Sequence, residues 1–423
     1  MTPAARIQAT IEIIDALGTT EMRAADRFLR DWFRAHRFAG SKDRAAVTEG
    51  VYDVLRHRAS LAWRMESEEP RSLVIASLIT EGKSLSEIEK LFSGEGYGPA
   101  PLNEEERKAI ASPPADEPPL SVQGEFPLWL QPELDRAFGK DLLPEMQAMF
   151  ERAPVDLRVN SLRAERRAML DGLRSLDIQC DVTPFSPFGI RVPSAEGLSA
   201  LEHTRFFQTG AFEFQDEASQ LAALLCGAKP GDRVLDLAAG AGGKSLALAA
   251  LMRNKGEILA YDANPARLKQ LAPRARRAGA SIITVAETRG GPKWGNGKFD
   301  IVLVDAPCSG SGTWRRNPET KWRLTRDRLR ELIELQNWLV DDGARHTKPG
   351  GSLVYVTCSL LPSENEDVVS AFLTRNQEFR IVPVEIAWRT LLGEPPAFVN
   401  RYFRGSPLAS ATDGLFVCIM ARS

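Results

Sequence analysis

Apolar residues recur at every third or fourth position through residues 1–93, as Ile7, Ile11 and Ile14 do near the start. This spacing places them on one face of a helix and predicts a compact helical domain. Between 94 and 120 the pattern gives way to glycine, proline and acidic residues, which predicts a linker without packed elements. We therefore place the first domain boundary in that stretch.

After the linker, helical spacing and short apolar runs are mixed from 121 to 205, and this order predicts a small α+β subdomain. From 206 to 423, short unbroken apolar runs alternate with helical patterns. Runs of this kind fit strands that are buried on both faces of a parallel sheet. The predicted fold class is therefore α/β, with a doubly wound, Rossmann-like sheet preceded by a small α+β subdomain and an all-helical N-terminal domain.

The composition is that of an ordinary globular protein, since 43% of the 423 residues are apolar and 26% are charged. No run of about eighteen apolar residues is present, so we expect no membrane span. The N-terminus lacks an apolar signal core, and the five cysteines do not have the spacing of a disulfide framework. We therefore expect a cytoplasmic protein with reduced cysteines. We expect no metal site, because the histidines and cysteines form no short-spaced ligand pairs.

Charge is distributed unevenly although the net charge is only -2. Residues 265–330 contain fifteen Lys and Arg against five Asp and Glu, whereas residues 66–119 are acidic. A basic stretch of this density is typical of a polyanion-binding face. Solvated helix faces are the alternative explanation for a charge run alone. The position of this run around a cysteine-containing turn favours the polyanion.

Two short apolar runs end at small-residue turns that each contain a cysteine. The first is Phe299–Asp305, followed by Cys308, and the second is Leu353–Val356, followed by Cys358. In a parallel sheet, ligands bind at the carboxyl ends of the strands, so both cysteines are predicted to lie at that edge. Inert packing and a redox pair are the alternatives for these two residues. Their strand-end positions favour a chemical role.

A glycine-rich turn follows the first predicted strand of the sheet. It does not match a P-loop, because Ala238 stands where that motif needs glycine, nor a dinucleotide fingerprint, because Ser245 stands at the third glycine position. Asp262 ends the next strand, twenty-two residues after Gly240. A close backbone approach and a carboxylate for ribose hydroxyls suit a nucleoside without a pyrophosphate. S-adenosylmethionine is the common ligand of that description.

Four motifs also carry a resemblance to a known family. They are Asp305-Ala-Pro-Cys-Ser309, Thr357-Cys-Ser359, Ala238-Ala-Gly-Ala-Gly-Gly-Lys244 and Arg315-Arg-Asn-Pro-Glu-Thr-Lys-Trp322. Together they resemble the motifs of the RNA cytosine-5 methyltransferases, in particular the bacterial RsmB (Fmu/Sun) group. The stretch Phe38–Arg44 resembles part of the NusB-like domain of that group. The sequence departs from the family pattern at Ala241, where proline is usual, and at Ala286-Glu287, where an acidic residue on the adenine side is usual.

The resemblance implies a fold, a cofactor and residue roles. It implies a NusB-like domain at 1–93, an RRM-like subdomain at 121–205 and a methyltransferase domain at 206–423. Cys358 would attack carbon 6 of the cytosine, Cys308 would assist release, and Asp305 would hydrogen-bond the base, while Lys244 and nearby arginines could lower the thiol pKa. S-adenosylmethionine would bind at Ala238, Ala239, Gly240, Ala241, Gly242, Gly243, Lys244, Asp262, Glu287 and Asp305. RNA would contact Arg315, Arg316, Lys321 and Trp322.

The expected reaction is S-adenosylmethionine-dependent methylation of a cytosine in RNA, with small-subunit ribosomal RNA as the expected substrate. A methyltransferase for transfer RNA is one alternative. A noncatalytic RNA-binding assembly factor is another, and the presence of both cysteines argues against it.

Overall fold

The computed structural model describes residues 1–19, 24–193, 198–286 and 294–423. The chain divides into two compact units. The helical unit contains residues 1–152 and 313–324, and the sheet unit contains residues 153–312 and 325–423. The described residues include no helix with both the length and the apolar character that a membrane crossing requires.

The helices and strands are numbered in chain order. The helices are α1 (Pro3–Thr19), α2 (Ala25–Ala35), α3 (Ser41–Arg56), α4 (Arg58–Met65), α5 (Pro70–Thr80), α6 (Leu85–Leu91), α7 (Glu104–Ala111), α8 (Leu120–Gln123), α9 (Gln131–Phe138), α10 (Leu142–Gln147), α11 (Arg166–Arg174), α12 (Leu198–His203), α13 (Arg205–Gln208), α14 (Glu217–Leu225), α15 (Gly243–Leu251), α16 (Pro265–Leu268), α17 (Leu271–Ala278), α18 (Glu319–Arg323), α19 (Arg326–His346), α20 (Glu366–Arg375), α21 (Val384–Leu392) and α22 (Pro407–Ser410). The strands are β1 (Val155–Val159), β2 (Asp181–Val182), β3 (Gly189–Val192), β4 (Phe212–Phe214), β5 (Arg233–Asp236), β6 (Glu257–Ala260), β7 (Ile283–Val285), β8 (Phe299–Asp305), β9 (Thr347–Thr357), β10 (Phe379–Val382), β11 (Phe403–Gly405) and β12 (Leu415–Arg422). Single 3-10 turns lie at Leu128–Leu130, Gly139–Asp141, Ser311–Thr313 and Pro362–Glu364.

An apolar core of the helical unit includes fully buried residues from α1, α3 and α5, such as Ile13, Val47 and Ile75. The prediction of an unpacked linker at 94–120 was wrong for α7. Asn103 caps that helix by accepting a hydrogen bond from the Glu106 backbone N–H at 2.7 Å, and Glu106 pairs with Arg71 at 2.6 Å. A good cap and an ion pair therefore stabilise a helix inside a stretch rich in helix breakers. Residues 121–152, which we predicted to be in the α+β subdomain, belong to the helical unit.

Within the sheet unit, a four-stranded sheet has the strand order β2-β3-β1-β4. Helix α11 packs against it through Met169 and Leu173, which join a core with Leu157 and Phe212. The sheet runs past the predicted boundary at 205, because β4 pairs antiparallel with β1. The edge strand β2 is short and covers only Asp181–Val182.

The main sheet has the order β10-β12-β9-β8-β5-β6-β7, with β11 paired to β12. Strands β9, β8, β5, β6 and β7 are parallel neighbours, whereas β12 runs antiparallel to β9. Apolar clusters cover both faces, so the strands are buried on both sides, and the predicted doubly wound α/β fold is confirmed. Two short helices, α16 and α17, connect β6 to β7.

The register between β8 and β9 positions the two cysteine turns. Asp305, the last residue of β8, pairs with Val356 of β9. Cys308 and Cys358 therefore leave the sheet at the same level on adjacent strands. Beyond the strand ends, the Gly312 N–H donates to the Cys358 carbonyl at 2.9 Å, which holds the two turns together.

Candidate active site

The predicted glycine turn joins β5 to α15. Gly240 and Gly242 have φ angles of +56° and +83°, in the left-handed region that favours glycine. A Cβ added at Gly242 would lie 2.0 Å from Leu271 Cδ1. Glycine is therefore required at this position by both conformation and space. The turn also contains Ala238, Ala239 and Ala241.

Asp262 lies just beyond β6 and binds the backbone of the glycine turn. Its Oδ2 accepts a hydrogen bond from the Gly240 N–H at 2.8 Å, and its Oδ1 accepts one from the Asn264 N–H at 2.7 Å. The carboxylate that we predicted for ribose hydroxyls thus also fixes the shape of the turn. A glycine turn that lets a ligand approach the backbone closely, with a carboxylate at the next strand end, fits the adenosine part of S-adenosylmethionine. Contact of each predicted residue with the cofactor remains a prediction.

Asp236 lies behind the glycine turn and anchors α15. Its Oδ2 accepts a hydrogen bond from Ser245 Oγ at 2.6 Å, whereas its buried Oδ1 has no partner in the described structure. Burial raises the pKa of Asp236 to about 7, although the Ser245 hydrogen bond opposes the shift. The contact with Ser245 links β5 to the first turn of α15.

Lys244 and Asp305 form an ion pair at the carboxyl edge, with 2.7 Å between Lys244 Nζ and Asp305 Oδ2. Burial lowers the pKa of Lys244, but the charge and hydrogen bond of Asp305 more than compensate, and the net pKa is raised. The charge of the Cys358 thiolate raises it further. A stable cation therefore lies close to the Cys358 sulfur, as expected for an activated cysteine.

The two predicted catalytic cysteines are in contact, since Cys308 Sγ lies 3.3 Å from Cys358 Sγ. Both side chains are partly exposed. The hydrogen bond to Cys358, together with desolvation and the charges of Cys358 and Glu364, raises the pKa of Cys308 well above its ordinary value. Cys308 therefore keeps its proton and can donate it to the neighbouring sulfur.

Glu364 lies behind both cysteine turns, and we did not single it out from the sequence. Its Oε1 accepts hydrogen bonds from the Ser309 N–H and from Gln336 Nε2, each at 2.8 Å. Its Oε2 accepts from the hydroxyls of Ser309 and Ser359, each at 2.5 Å. The side chain is 0% exposed. The available signal was a glutamate five residues after Ser359, but no residue pattern alone shows that such a side chain turns back toward the sheet.

The predicted RNA-binding residues lie in the helical unit, on segment 313–324. Lys321 Nζ donates to the Arg56 carbonyl at 3.0 Å, and Trp322 Nε1 donates to the Leu55 carbonyl at 2.8 Å. Lys321 is only 3% exposed, and burial lowers its pKa to about 7. These two side chains hold the segment on the helical core in this structure.

Two other predicted RNA contacts on this segment differ from each other in exposure. Arg315 is buried, whereas Arg316 is partly exposed. RNA contact by all four residues remains a prediction, and the exposure favours Arg316. Glu287, predicted on the adenine side of the cofactor, lies outside the described residues.

Comparisons with known proteins agree with this arrangement. A model of the family "16S rRNA methyltransferase RsmB/F" matches residues 223–421, and a model of the ferredoxin-like domain of RsmF/B-like methyltransferases matches residues 126–197. The chain is 32% identical over 308 residues to a probable ribosomal RNA small subunit methyltransferase B from Synechocystis, covering 72% of this chain and 68% of that protein. A protein of the same name from Bacillus subtilis is 31% identical over 326 residues, covering 75% and 71%.

A solved structure shows the same relationship. The crystal structure of a methyltransferase homologue from Pyrococcus horikoshii superposes with a TM-score of 0.60 at 28% identity, covering 72% of this chain and 98% of that chain. The sheet order, the glycine turn and these matches define an S-adenosylmethionine-dependent methyltransferase. More specifically, the chain belongs to the RsmB/F family of 16S rRNA methyltransferases.

Proposed function

We propose that this enzyme methylates carbon 5 of a cytosine in small-subunit ribosomal RNA through a covalent adduct with Cys358. The observation that carries this proposal is the contact of the two strand-end thiols, 3.3 Å apart, beside the Lys244–Asp305 ion pair. Relatives that bear the name ribosomal RNA small subunit methyltransferase B support the choice of RNA.

The chemistry of cytosine explains why two cysteines are useful. Carbon 5 is a poor nucleophile, so the Cys358 thiolate first adds to carbon 6, and the electron pair of the carbon 5–carbon 6 double bond then makes carbon 5 nucleophilic. Carbon 5 takes the methyl group, a base removes the remaining proton from carbon 5, and the bond between carbon 6 and sulfur breaks. The electron pair left by the proton restores the double bond, so the products are 5-methylcytosine, S-adenosylhomocysteine, a free Cys358 thiolate and the protonated base.

The surrounding side chains suit these steps. The charge of a Cys358 thiolate, the form of cysteine that attacks, raises the pKa of Lys244, so Lys244 stays a cation during the attack. The Cys308 thiol, which keeps its proton, stands next to the sulfur that must leave and assists its release. The partly exposed Asp305 can accept a hydrogen bond from the exocyclic amine of the base.

The cofactor site lies at the neighbouring strand ends. S-adenosylmethionine supplies an electrophilic methyl group there. The backbone of Gly240, Gly242 and Gly243 would lie against its adenosine part, and Asp262 would accept hydrogen bonds from the ribose hydroxyls. Target bases in structured RNA have to leave their stack to reach such an edge.

Single cysteine variants test the proposal. Cys358→Ala removes the nucleophile, so methylation of a small-subunit rRNA transcript should fall by roughly a thousandfold or more, with no covalent complex. Cys308→Ala can still attack and methylate but is slow to release, so it should migrate as a protein–RNA band on a denaturing gel. Mass spectrometry of the digested RNA would identify the methylated base.

Cys180→Ala is the matched control, because Cys180 is buried in the apolar core of the four-stranded sheet and its packing helix. This variant should methylate normally and give no band. A retained band from Cys358→Ala but not from Cys308→Ala would reverse the two roles. Methylation by Cys358→Ala at the wild-type rate would refute the covalent mechanism.

A further inference from the structure

The buried carboxylate of Glu364 connects three parts of the sheet unit. It accepts hydrogen bonds from Ser309, which follows Cys308, from Ser359, which follows Cys358, and from Gln336 on α19. Both oxygens therefore have two donors each, which fills the acceptor capacity of the group. A side chain that is 0% exposed cannot obtain these partners from water, so the network is costly to break.

We propose that Glu364 is a positioning residue that holds the Cys308 and Cys358 turns in register, so that the two sulfurs remain in contact during the reaction. The proposal rests on the roles given to these cysteines above. Glu364 reaches the cysteines only through the serines that follow them, and it does not touch the reacting base.

Gln336 strengthens this arrangement from the side of α19. Its amide nitrogen donates both to Glu364 at 2.8 Å and to the Pro307 carbonyl at 2.9 Å, so one side chain contacts both the carboxylate and the start of the Cys308 turn. The Tyr355 hydroxyl donates to the Glu364 carbonyl at 2.6 Å, which ties the backbone of Glu364 to β9. The carboxylate is thus held on a rigid part of the sheet rather than on a free loop.

Other contacts between the turns do not involve Glu364. Ser311 Oγ accepts from the Leu360 N–H at 2.8 Å, and the Gly312 N–H donates to the Cys358 carbonyl at 2.9 Å. Removing the carboxylate should therefore loosen the turns without unfolding the sheet unit. The effect of Glu364 on the position of the cysteines can therefore be measured in a variant that still folds.

The donors at Glu364 make glutamine an informative replacement. The donors to Oε1 are N–H groups, which need an acceptor, whereas the donors to Oε2 are serine hydroxyls, which can reverse and accept. Glu364→Gln can place its carbonyl at Oε1 and its amide nitrogen at Oε2, and so can keep all four hydrogen bonds. Glu364→Ala loses them all.

Two measurements on these variants test the proposal. The first is the rate at which diamide, a thiol oxidant, joins Cys308 to Cys358, with each thiol losing a proton as diamide is reduced to the hydrazine. The second is kcat and KM for methylation of a small-subunit rRNA transcript. In Glu364→Ala, the two cysteines should cross-link about tenfold more slowly. The kcat should fall about a hundredfold, which is the loss expected when reacting groups are misplaced by about 1 Å, and KM should be nearly unchanged.

Glu364→Gln should retain both rates within a few-fold, and Glu366→Ala is the matched control. Glu366 lies two residues away on the same chain segment and pairs with Arg404, outside the network. If Glu364→Ala does not fold, Ser359→Ala removes one donor and should lower both rates by a smaller factor.

The remaining outcomes separate this proposal from the proposed function. Unchanged cross-linking in Glu364→Ala would overturn the positioning role, and so would equal losses in Glu364→Gln and Glu364→Ala. If the cross-linking rates follow the prediction but the wild-type enzyme forms no 5-methylcytosine, the positioning role stands and the proposed reaction fails.

Discussion

Segments 306–312 and 313–324 are consecutive in the chain, and both follow β8, but they belong to different units. In the first, Ser309 and Ser311 hydrogen-bond to groups of the sheet unit around Cys358. In the second, Glu319, Lys321 and Trp322 bind backbone groups of the helical unit. A position next to the predicted catalytic residues in the sequence therefore does not show what a polar residue contacts. The structural partner of each residue has to be known before a role in RNA binding is assigned.

The helical unit and the sheet unit also each contain a buried titratable group, and burial shifts the two pKa values in opposite directions. Burial lowers the pKa of Lys321 to about 7 and raises the pKa of Asp236 to about 7. Both groups therefore tend toward the neutral form, as expected when charge is removed from water. Because one is a base and the other an acid, they make stability depend on pH in different windows.

The largest expected effect concerns Lys321. The ordinary lysine pKa is 10.5, so between about pH 7 and pH 10 the unfolded chain binds a proton that the folded chain does not, and stability rises with pH. The full difference is on the order of 5 kcal/mol. Lys321→Met should remove this rise, measured by urea unfolding at several pH values.

The exposed Lys108→Met, also in the helical unit, should leave the rise unchanged. A stability difference between wild type and Lys321→Met that stays constant with pH would mean that Lys321 is solvated. The segment would then be available to RNA.

Asp236 should give a somewhat smaller effect of opposite sign. The ordinary aspartate pKa is 3.8, so between about pH 4 and pH 7 the folded chain binds a proton that the unfolded chain does not, and stability falls as pH rises. The size is about 4 kcal/mol. Asp236→Asn should abolish this fall, whereas the exposed Asp327→Asn should preserve it. An identical pH profile for wild type and Asp236→Asn would contradict the buried neutral carboxyl.

The smallest expected effect separates the residues of segment 313–324 from one another. The logarithm of the RNA-binding constant falls linearly with the logarithm of the salt concentration, and Arg316→Ala should reduce this slope by about one, the effect of one lost phosphate contact. Lys321→Met and Arg315→Ala should leave the slope unchanged, because both side chains are buried. Lys108→Ala, in the acidic region, is the control. If Lys321→Met reduced the salt slope as much as Arg316→Ala does, segment 313–324 would have to leave the helical core when RNA binds.

The sequence predicted the features that depend on local pattern. The alternation of apolar runs gave the doubly wound sheet, and the strand ends placed Cys308, Cys358 and Asp305 at one edge. Features that depend on distant partners were missed. Glu364 acquires its role only when α19 and two turns meet around it, and α7 is held in a breaker-rich stretch by the pairing of Glu106 with Arg71.

The helical unit is made from two separate stretches of chain, 1–152 and 313–324. Synthesis runs from the N-terminus, so residues 153–312 are made before Glu319, Lys321 and Trp322 exist. Until then, the Ala25 N–H and the carbonyls of Leu55 and Arg56 lack these partners. N-terminal domains generally fold first during synthesis. In this protein, the first unit to leave the ribosome is completed only after most of the second has followed it.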